Sequence, residues 1–109
     1  MDSSEVVVFD WTHQTVVAVM TGELDLANAR QLCSSVRGQT EGHVVIVDLS
    51  AVEYIEPTAL REMLGLSREL AICLVAPARG QPRKMLQLSR IVGVIATYDS
   101  LALALDHRP

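Results

Sequence analysis

The sequence predicts an α/β fold: one domain with a four- to five-stranded, mostly parallel sheet, an N-terminal hairpin and a cover of about four helices. Apolar runs rich in Val and Ile alternate along the chain with segments of helical periodicity. Such alternation is typical of parallel strands joined by right-handed crossovers. The composition agrees, because 50% of the residues are hydrophobic and only 4% are aromatic, as expected for a parallel sheet covered by helices. The 109 residues are enough for one core, so residues 1–109 are expected to form a single domain.

Two β-branched runs open the chain, "SEVVVFD" and "QTVVAVMTG". The polar "WTHQ" between them predicts a tight turn, so the two runs are expected to form a hairpin. The next segment, "LDLANARQLCSSVRG", repeats its apolar residues at helical spacing and ends at Gly38, a typical helix stop. It predicts the first helix, with Asp25 near its start.

The middle of the chain predicts a central strand, a helix and a second buried strand. "HVVIVDLSAV" is a continuous apolar run too short for a free-standing helix, which favours a strand buried on both faces. The following helix is expected to run from Pro57 or Thr58 to about Leu70. Its inward face is expected to carry Leu60, Met63, Leu64 and Ser67. "AICLVAP" then predicts a buried strand that Pro77 ends.

The last third of the chain predicts two more helices around a weak strand. "GQPRKMLQLSRIVG" indicates a helix with Pro82 near its start, Met85 and Leu88 facing inward, and a glycine at its end. "VIATY" is expected to be a short final strand. "DSLALALDH" predicts a closing helix capped by Asp99 or Ser100.

Charge and hydropathy exclude two classes of partner. A formal net charge of −4 argues against general binding to nucleic acid, which depends on clustered Lys and Arg. The chain does not open with a positively charged segment and an apolar run, and no apolar stretch approaches the roughly 20 residues that cross a bilayer. A cytoplasmic protein without a membrane partner is therefore expected.

The reactive side chains do not predict an active site. His13, His43 and His107 fall in a turn, at a strand edge and in the tail, and are interpreted as solvated side chains. Cys33 and Cys73 are far apart in sequence and are expected to be buried, reduced packing residues. The sequence lacks the motifs of acyl transfer, nucleotide hydrolysis and dinucleotide binding. Neither an enzyme nor a cofactor nor a bound metal is expected.

Two acidic residues stand where strands meet helices. Asp25 in "TGELD" and Glu56 in "IEPT" each follow a predicted strand. Because the carboxyl ends of parallel strands lie along one edge of a sheet, where ligands and partners usually dock, the two residues are expected to be neighbours. They either belong to a docking site or only cap the helices that follow them.

The order and spacing of four segments resemble the STAS domain, the sulfate transporter and anti-sigma factor antagonist family. The segments are "TGELDLANARQL", "VVIVDLSAVEYIEPTALREML", "LVAP" and "RKMLQLSRIVGVIATYDSLALAL". The resemblance spans nearly the whole chain, which implies a single STAS domain. A short copy without a membrane segment is similar to the stand-alone bacterial anti-sigma factor antagonists. This implies a protein–protein interaction with a serine kinase-type anti-sigma factor, which frees a sigma factor for transcription by partner switching.

The resemblance also implies a phosphorylation switch at the start of the second helix. The family motif there is Asp-Ser-Ser/Thr-Gly, and its first hydroxyl residue takes a phosphate that breaks partner binding. This chain has Glu-Pro-Thr-Ala at positions 56–59, so Pro57 occupies the switch position without a hydroxyl. Thr58 matches the second hydroxyl position and is either a displaced phosphate acceptor or an ordinary first-turn residue. Asp25 matches the family's acidic residue beside the site.

Two alternatives to this function remain open. One is a phosphorylation-independent STAS scaffold, for which a homo-oligomer is an option. The other is a nucleotide-sensing subunit that binds at the basic run near Arg83 and Lys84, a run that also suits a solvated helix face. For the main function, the predicted partner-binding residues, here called the docking surface, are Asp25, Glu56, Thr58, Arg61 and Glu62.

Overall fold

The computed structural model describes residues 5–12, 15–38 and 44–107. Its elements are β1 (Glu5–Thr12), β2 (Thr15–Leu24), α1 (Leu26–Arg37), β3 (Val44–Ile55), α2 (Pro57–Glu69), β4 (Ala71–Val75), α3 (Gln81–Leu88), a 3-10 turn (Ile91–Gly93), β5 (Thr97–Tyr98) and α4 (Leu101–His107). The predicted order of strands and helices is confirmed. His13 and His43 lie outside the described residues.

The five strands form one sheet in the order of the chain, β1-β2-β3-β4-β5. β1 pairs antiparallel with β2, and the other neighbours are parallel. The predicted hairpin, mostly parallel sheet and α/β class are therefore confirmed. β3 is the central strand, and its consecutive residues Val45, Ile46 and Val47 are fully buried, so both faces of the sheet are covered there.

Helices pack on both faces of the sheet. Because the β2–β3, β3–β4 and β4–β5 connections are expected to share a right-handed crossover, α1, α2 and α3 lie on one side of the sheet. The main core forms there and includes Met20, Leu32, Val47, Met63 and Leu86. A smaller core lies on the other side, where α4 covers Val17, Ile46, Cys73 and Val75.

The two cysteines belong to different cores. Cys33, on the buried face of α1, lies in the main core. Cys73, in β4, lies in the smaller core under α4. Both thiols are free and buried, as predicted. Burial raises the pKa of Cys33, and it raises the pKa of Cys73 to about 11. Thiols in these positions are packing groups rather than nucleophiles.

The predicted inward faces of α2 and α3 require correction. In α2 the buried stripe is Ala59, Leu60, Met63 and Leu66, whereas Leu64 and Ser67 are only partly buried. The stripe begins one residue earlier than predicted, because Ala59 is small enough to lie against the core. Each helical residue turns about 100°, so a stripe that starts at residue 59 continues through residue 66.

In α3 the inward residue is Leu86, which is fully buried, while Leu88 is 72% exposed. Residues two apart on a helix point to nearly opposite sides, so Leu86 and Leu88 cannot both face the core. The helix also ends at Leu88, before the predicted glycine, and Arg90 adopts a left-handed backbone (φ 61°) before the 3-10 turn. At the final helix, the Leu103 amide donates to the Ser100 hydroxyl at 3.2 Å, which identifies Ser100 as the capping residue.

Candidate partner-binding site

The ends of β2 and β3 are joined at the carboxyl edge of the sheet. Leu24 and Ile55, the last residues of the two strands, are paired in the parallel ladder. One residue further on, the Glu56 amide donates a hydrogen bond to the Leu24 carbonyl at 2.9 Å. Asp25 and Glu56 each follow one of these paired residues. The two acids are therefore neighbours, as the sequence predicts.

Asp25 is a helix cap as well as a member of this edge. Its carboxylate accepts a hydrogen bond from the Asn28 amide at 2.8 Å, and the Asn28 side chain accepts one from the Asp25 amide at 2.8 Å. Asn28 also donates to the Glu23 carbonyl at 2.6 Å. This reciprocal capping box holds the start of α1. The spacing Asp-x-x-Asn signals such a box, but the sequence reasoning did not single out Asn28.

Glu56 is held differently, because its side chain makes no capping hydrogen bond at the start of α2. Pro57 occupies the first turn of this helix, where its fixed φ is favourable and its missing N–H has no intrahelical partner. The Thr58 hydroxyl donates a long hydrogen bond to the Glu56 carboxylate, at 3.4 Å. Pro57 and Thr58 are exposed and Glu56 is partly buried. The capping interpretation therefore holds for Asp25 and not for the Glu56 side chain.

A shallow groove between α1 and α2 brings three predicted docking residues together. Its volume is about 150 Å³, and it is lined by Leu26, Arg30, Thr58, Arg61 and Glu62. The groove thus contains one hydroxyl, two guanidinium groups and one carboxylate beside the first turn of α2. Asp25 and Glu56 do not line the groove. They lie next to it in the chain, because Asp25 directly precedes the lining residue Leu26 and Glu56 lies two residues before Thr58.

Arg30 is a groove residue that the sequence reasoning missed. Its Nε lies 3.3 Å from Glu62 Oε1, which makes an ion pair between α1 and α2. Arg37 and Glu69 form a second pair between the same helices at 2.6 Å. Exposed pairs of this kind contribute at most about 1 kcal/mol each to the stability of the fold. Their main effect is therefore on how α1 and α2 lie against each other. No local pattern reveals a partner 32 residues away.

Gln81, at the start of α3, reaches the same edge of the sheet. Its Oε1 accepts a hydrogen bond from the Ile55 amide at 2.8 Å, and its Nε2 donates one to the Ile55 carbonyl at 3.1 Å. Gln81 thereby holds the backbone immediately before Glu56. This residue was also not expected from the sequence.

In the basic run that was proposed to bind a nucleotide, Arg83 makes its contacts within the fold. The Arg83 Nε and Nη2 donate to the Ala76 carbonyl at 3.0 and 2.7 Å, and Nη2 also pairs with Asp99 at 2.5 Å. Only 12% of the Arg83 side chain is exposed. The guanidinium joins the end of β4 to the β5–α4 connection, which weighs against a ligand-binding role. Lys84 is exposed.

His107 is exposed, as predicted, but it belongs to α4 rather than to a frayed tail. Its ring stacks on Tyr98 with centroids 5.5 Å apart and an interplanar angle of 25°. Its Nδ1 lies 2.9 Å from the Leu103 carbonyl. Among the described residues, no three His, Cys, Asp or Glu side chains are arranged to hold a metal ion. Within the same part of the chain, no helix has the length and apolarity to cross a membrane.

The sheet order, the antiparallel hairpin and the helices on both faces define a mixed α/β domain. The family model of the STAS domain matches residues 4–104. The chain belongs to the STAS domain family.

Solved structures of anti-sigma factor antagonists are similar to this chain. An anti-sigma factor antagonist from Mycobacterium paratuberculosis is 23% identical with a TM-score of 0.82, over 96% of this chain and 93% of that one. The anti-sigma factor antagonist SpoIIAA in its unphosphorylated form is 20% identical with a TM-score of 0.75, over 94% of each chain. The Bacillus cell fate determinant SpoIIAA in the phosphorylated form is 19% identical with a TM-score of 0.66, over 96% of this chain and all of that one. Identities this low establish the fold alone. No curated protein sequence matches the chain significantly.

Proposed function

We propose that this chain is an anti-sigma factor antagonist-type binding module that regulates transcription by partner switching. It binds a serine kinase-type anti-sigma factor through the docking surface and so releases a sigma factor in the cytoplasm. It has no enzymatic activity, and residues 1–109 make up one STAS domain. The hydrogen bond between Glu56 and Leu24 carries the proposal, because it joins the two acidic loops beside the exposed start of α2.

The chemistry of the docking surface favours a partner that places basic groups against its carboxylates and an acidic group against Arg61. Asp25 and Glu56 present two carboxylates at one edge of the sheet, next to the groove that contains Arg61 and Glu62. Complementary charge at such a surface raises the association rate and excludes wrong partners. Similarity to solved anti-sigma factor antagonists supports the same kind of partner for this chain.

Pro57 distinguishes the proposed mechanism from a phosphorylation switch at that position. A proline ring has no hydroxyl that can accept a phosphate, and it stands at the start of α2 where the family motif has the acceptor. Binding is therefore proposed to be independent of phosphorylation at position 57. Thr58 is the hydroxyl that remains, and a phosphate there would face the Glu56 carboxylate on one side and Arg30 and Arg61 on the other.

The test measures binding to each serine kinase-type anti-sigma factor that the source organism encodes, purified and titrated by calorimetry. The wild-type chain is expected to bind one of them. Arg61→Glu is expected to weaken that binding while changing stability by less than about 0.5 kcal/mol, because Arg61 is exposed. Glu62→Arg is expected to weaken binding as well, and to lower stability by up to about 1 kcal/mol, because it also breaks the ion pair with Arg30.

Asp106→Lys is the control for these reversals, because Asp106 is an exposed residue of α4 on the other side of the sheet. It is expected to bind like the wild-type chain. If no kinase-type anti-sigma factor binds, the proposed function is wrong. If the Arg61 and Glu62 variants bind normally, the assignment of the docking surface is wrong.

The main alternative is a phosphorylation-independent scaffold, which the loss of the hydroxyl at position 57 favours. It predicts a large, stable homo-assembly in size-exclusion chromatography and no binding to a kinase-type anti-sigma factor. A nucleotide-sensing role would appear as saturable thermal stabilisation by GTP or ATP. The structural contacts of Arg83 weigh against that role.

A further inference from the structure

The last residue of β3 lacks a neighbouring strand on one side. Pairing between β3 and β4 ends at Asp48 and Val75, so positions 49–55 extend beyond β4. In a parallel sheet the N–H and C=O of one residue face the same neighbour, and the next residue faces the opposite one. Glu56 bonds to β2, so the backbone groups of Ile55 face the side that β4 has left.

Gln81 takes the place of the absent strand. A primary amide has one donor side and one acceptor side, as a peptide group has. The Gln81 amide uses both, accepting from the Ile55 N–H at 2.8 Å and donating to the Ile55 carbonyl at 3.1 Å. Both bonds are partly buried, and the Ile55 side chain is fully buried in the main core. Gln81 therefore gives Ile55 the acceptor and the donor that a neighbouring strand would supply.

The first turn of α3 is itself anchored, which makes Gln81 a fixed support. Arg83 bonds to the Ala76 carbonyl and to Asp99, and these contacts fix the helix to the end of β4. Gly80 enters the helix with φ 109° and ψ 170°, a conformation that is essentially restricted to glycine. Gln81 thus lies between a glycine-specific backbone conformation and the anchored Arg83 side chain.

The segment Glu56–Thr58, here called the docking segment, begins directly after this clamp. Its first amide is held by Leu24 on one side, and the residue before it is held by Gln81 on the other. We propose that Gln81 is a positioning residue for the docking surface. It sets the direction in which the chain leaves β3, and so the positions of the Glu56 carboxylate and the Thr58 hydroxyl, without contacting the partner. This inference rests on the proposed function.

Two variants on different faces of the sheet separate positioning from general stability. Gln81→Ala removes the clamp on Ile55, whereas Val17→Ala removes two methyl groups from the smaller core under α4 and leaves α3 and Ile55 untouched. Gln81→Glu is intermediate, because a carboxylate still accepts from the Ile55 N–H and cannot donate to the Ile55 carbonyl. Each variant is measured well below its melting temperature, by NMR hydrogen exchange at the Ile55 amide and by calorimetric titration with the purified kinase-type anti-sigma factor.

In Gln81→Ala, exchange at the Ile55 amide is expected to rise, and affinity for the anti-sigma factor to fall, by about tenfold or more each, because the variant loses both hydrogen bonds to Ile55. Gln81→Glu is expected to lie between this variant and the wild type. Val17→Ala is expected to keep wild-type affinity even where its melting temperature falls as far.

Three results overturn the inference. In the first, Gln81→Ala exchanges faster and binds normally while Arg61→Glu binds weakly, so the proposed function stands and Gln81 has no positioning role. In the second, Gln81→Ala and Val17→Ala lose affinity in proportion to their loss of stability, so the role is only structural. In the third, the wild-type chain binds no kinase-type anti-sigma factor, so the proposed function fails and the inference fails with it.

Discussion

The backbone amide of Glu56 donates a hydrogen bond of 2.9 Å to the carbonyl oxygen of Leu24. This single contact joins the β2–α1 loop to the β3–α2 loop after the ladder pair Leu24–Ile55. It makes Asp25, whose carboxylate caps α1, a neighbour of Glu56, whose side chain makes no capping hydrogen bond. Because backbone groups make the contact, side-chain substitutions on the docking surface leave it intact. The surface can therefore be tested residue by residue.

Substitutions of Asp25 are expected to separate its capping role from its docking role. Asp25→Ala loses the capping box with Asn28 and should lower the free energy of unfolding by about 1 kcal/mol. Asp25→Asn keeps a good cap and removes the charge, because Asn and Asp cap helices equally well. It should retain stability and lose affinity for the anti-sigma factor. Thermal unfolding and calorimetric titration measure the two effects, and wild-type affinity in Asp25→Asn would show that the charge is not used in docking.

Pro57→Ser is expected to create a phosphate acceptor at the start of α2. The free energy of unfolding should fall by only about 0.4–1 kcal/mol, from the added freedom of the unfolded chain. Incubation with the cognate kinase and ATP, followed by mass spectrometry, should show phosphate on the serine introduced at position 57. The double variant Pro57→Ser/Thr58→Val assigns the position, since Thr58 is then removed as an acceptor. Absence of phosphate on both proteins would indicate that the surface no longer fits such a kinase.

Two glycine substitutions are expected to have opposite signs. Gly80→Ala should destabilise the fold by about 1–3 kcal/mol, because the backbone there has φ 109°. An added Cβ would meet only the Pro82 Cδ, at 3.7 Å, so the cost is backbone strain rather than a clash. Gly65→Ala, inside α2, should stabilise by about 0.5–1 kcal/mol, because an added Cβ has nothing within 4 Å. Chemical denaturation measures the free energy of unfolding of both variants. Changes of the same sign would contradict the backbone conformations described for the two glycines.

Stability is expected to fall in alkaline solution through Cys73. Burial raises its pKa from 9.0 to about 11, so the folded state keeps a proton that the unfolded state loses. The stabilisation is complete below pH 9 and is lost as pH rises toward 11. Cys73→Ala should show a smaller decline of unfolding free energy between these pH values. Identical declines in both proteins would mean that the thiol titrates normally in the folded state.

Local patterns account for most of what the sequence predicts correctly about the site. The junction positions of Asp25 and Glu56 follow from strand ends, and parallel topology then makes them neighbours. The inward faces of α2 and α3 were less predictable, because several apolar residues compete for each face. Ala59 and Leu86 are buried, and only packing against the sheet selects them over Leu64 and Leu88.

The sequence by itself determined the order of strands and helices, the place of Asp25 at the start of a helix and the absence of a side-chain hydroxyl at position 57. These features depend on residues close together in the chain, so periodicity and capping rules reveal them. Only the tertiary structure decided that Gln81 holds Ile55 and that Arg30 pairs with Glu62. Each of these pairs joins separate elements, and side chains on separate elements meet only where packing brings the elements to the same edge of the sheet.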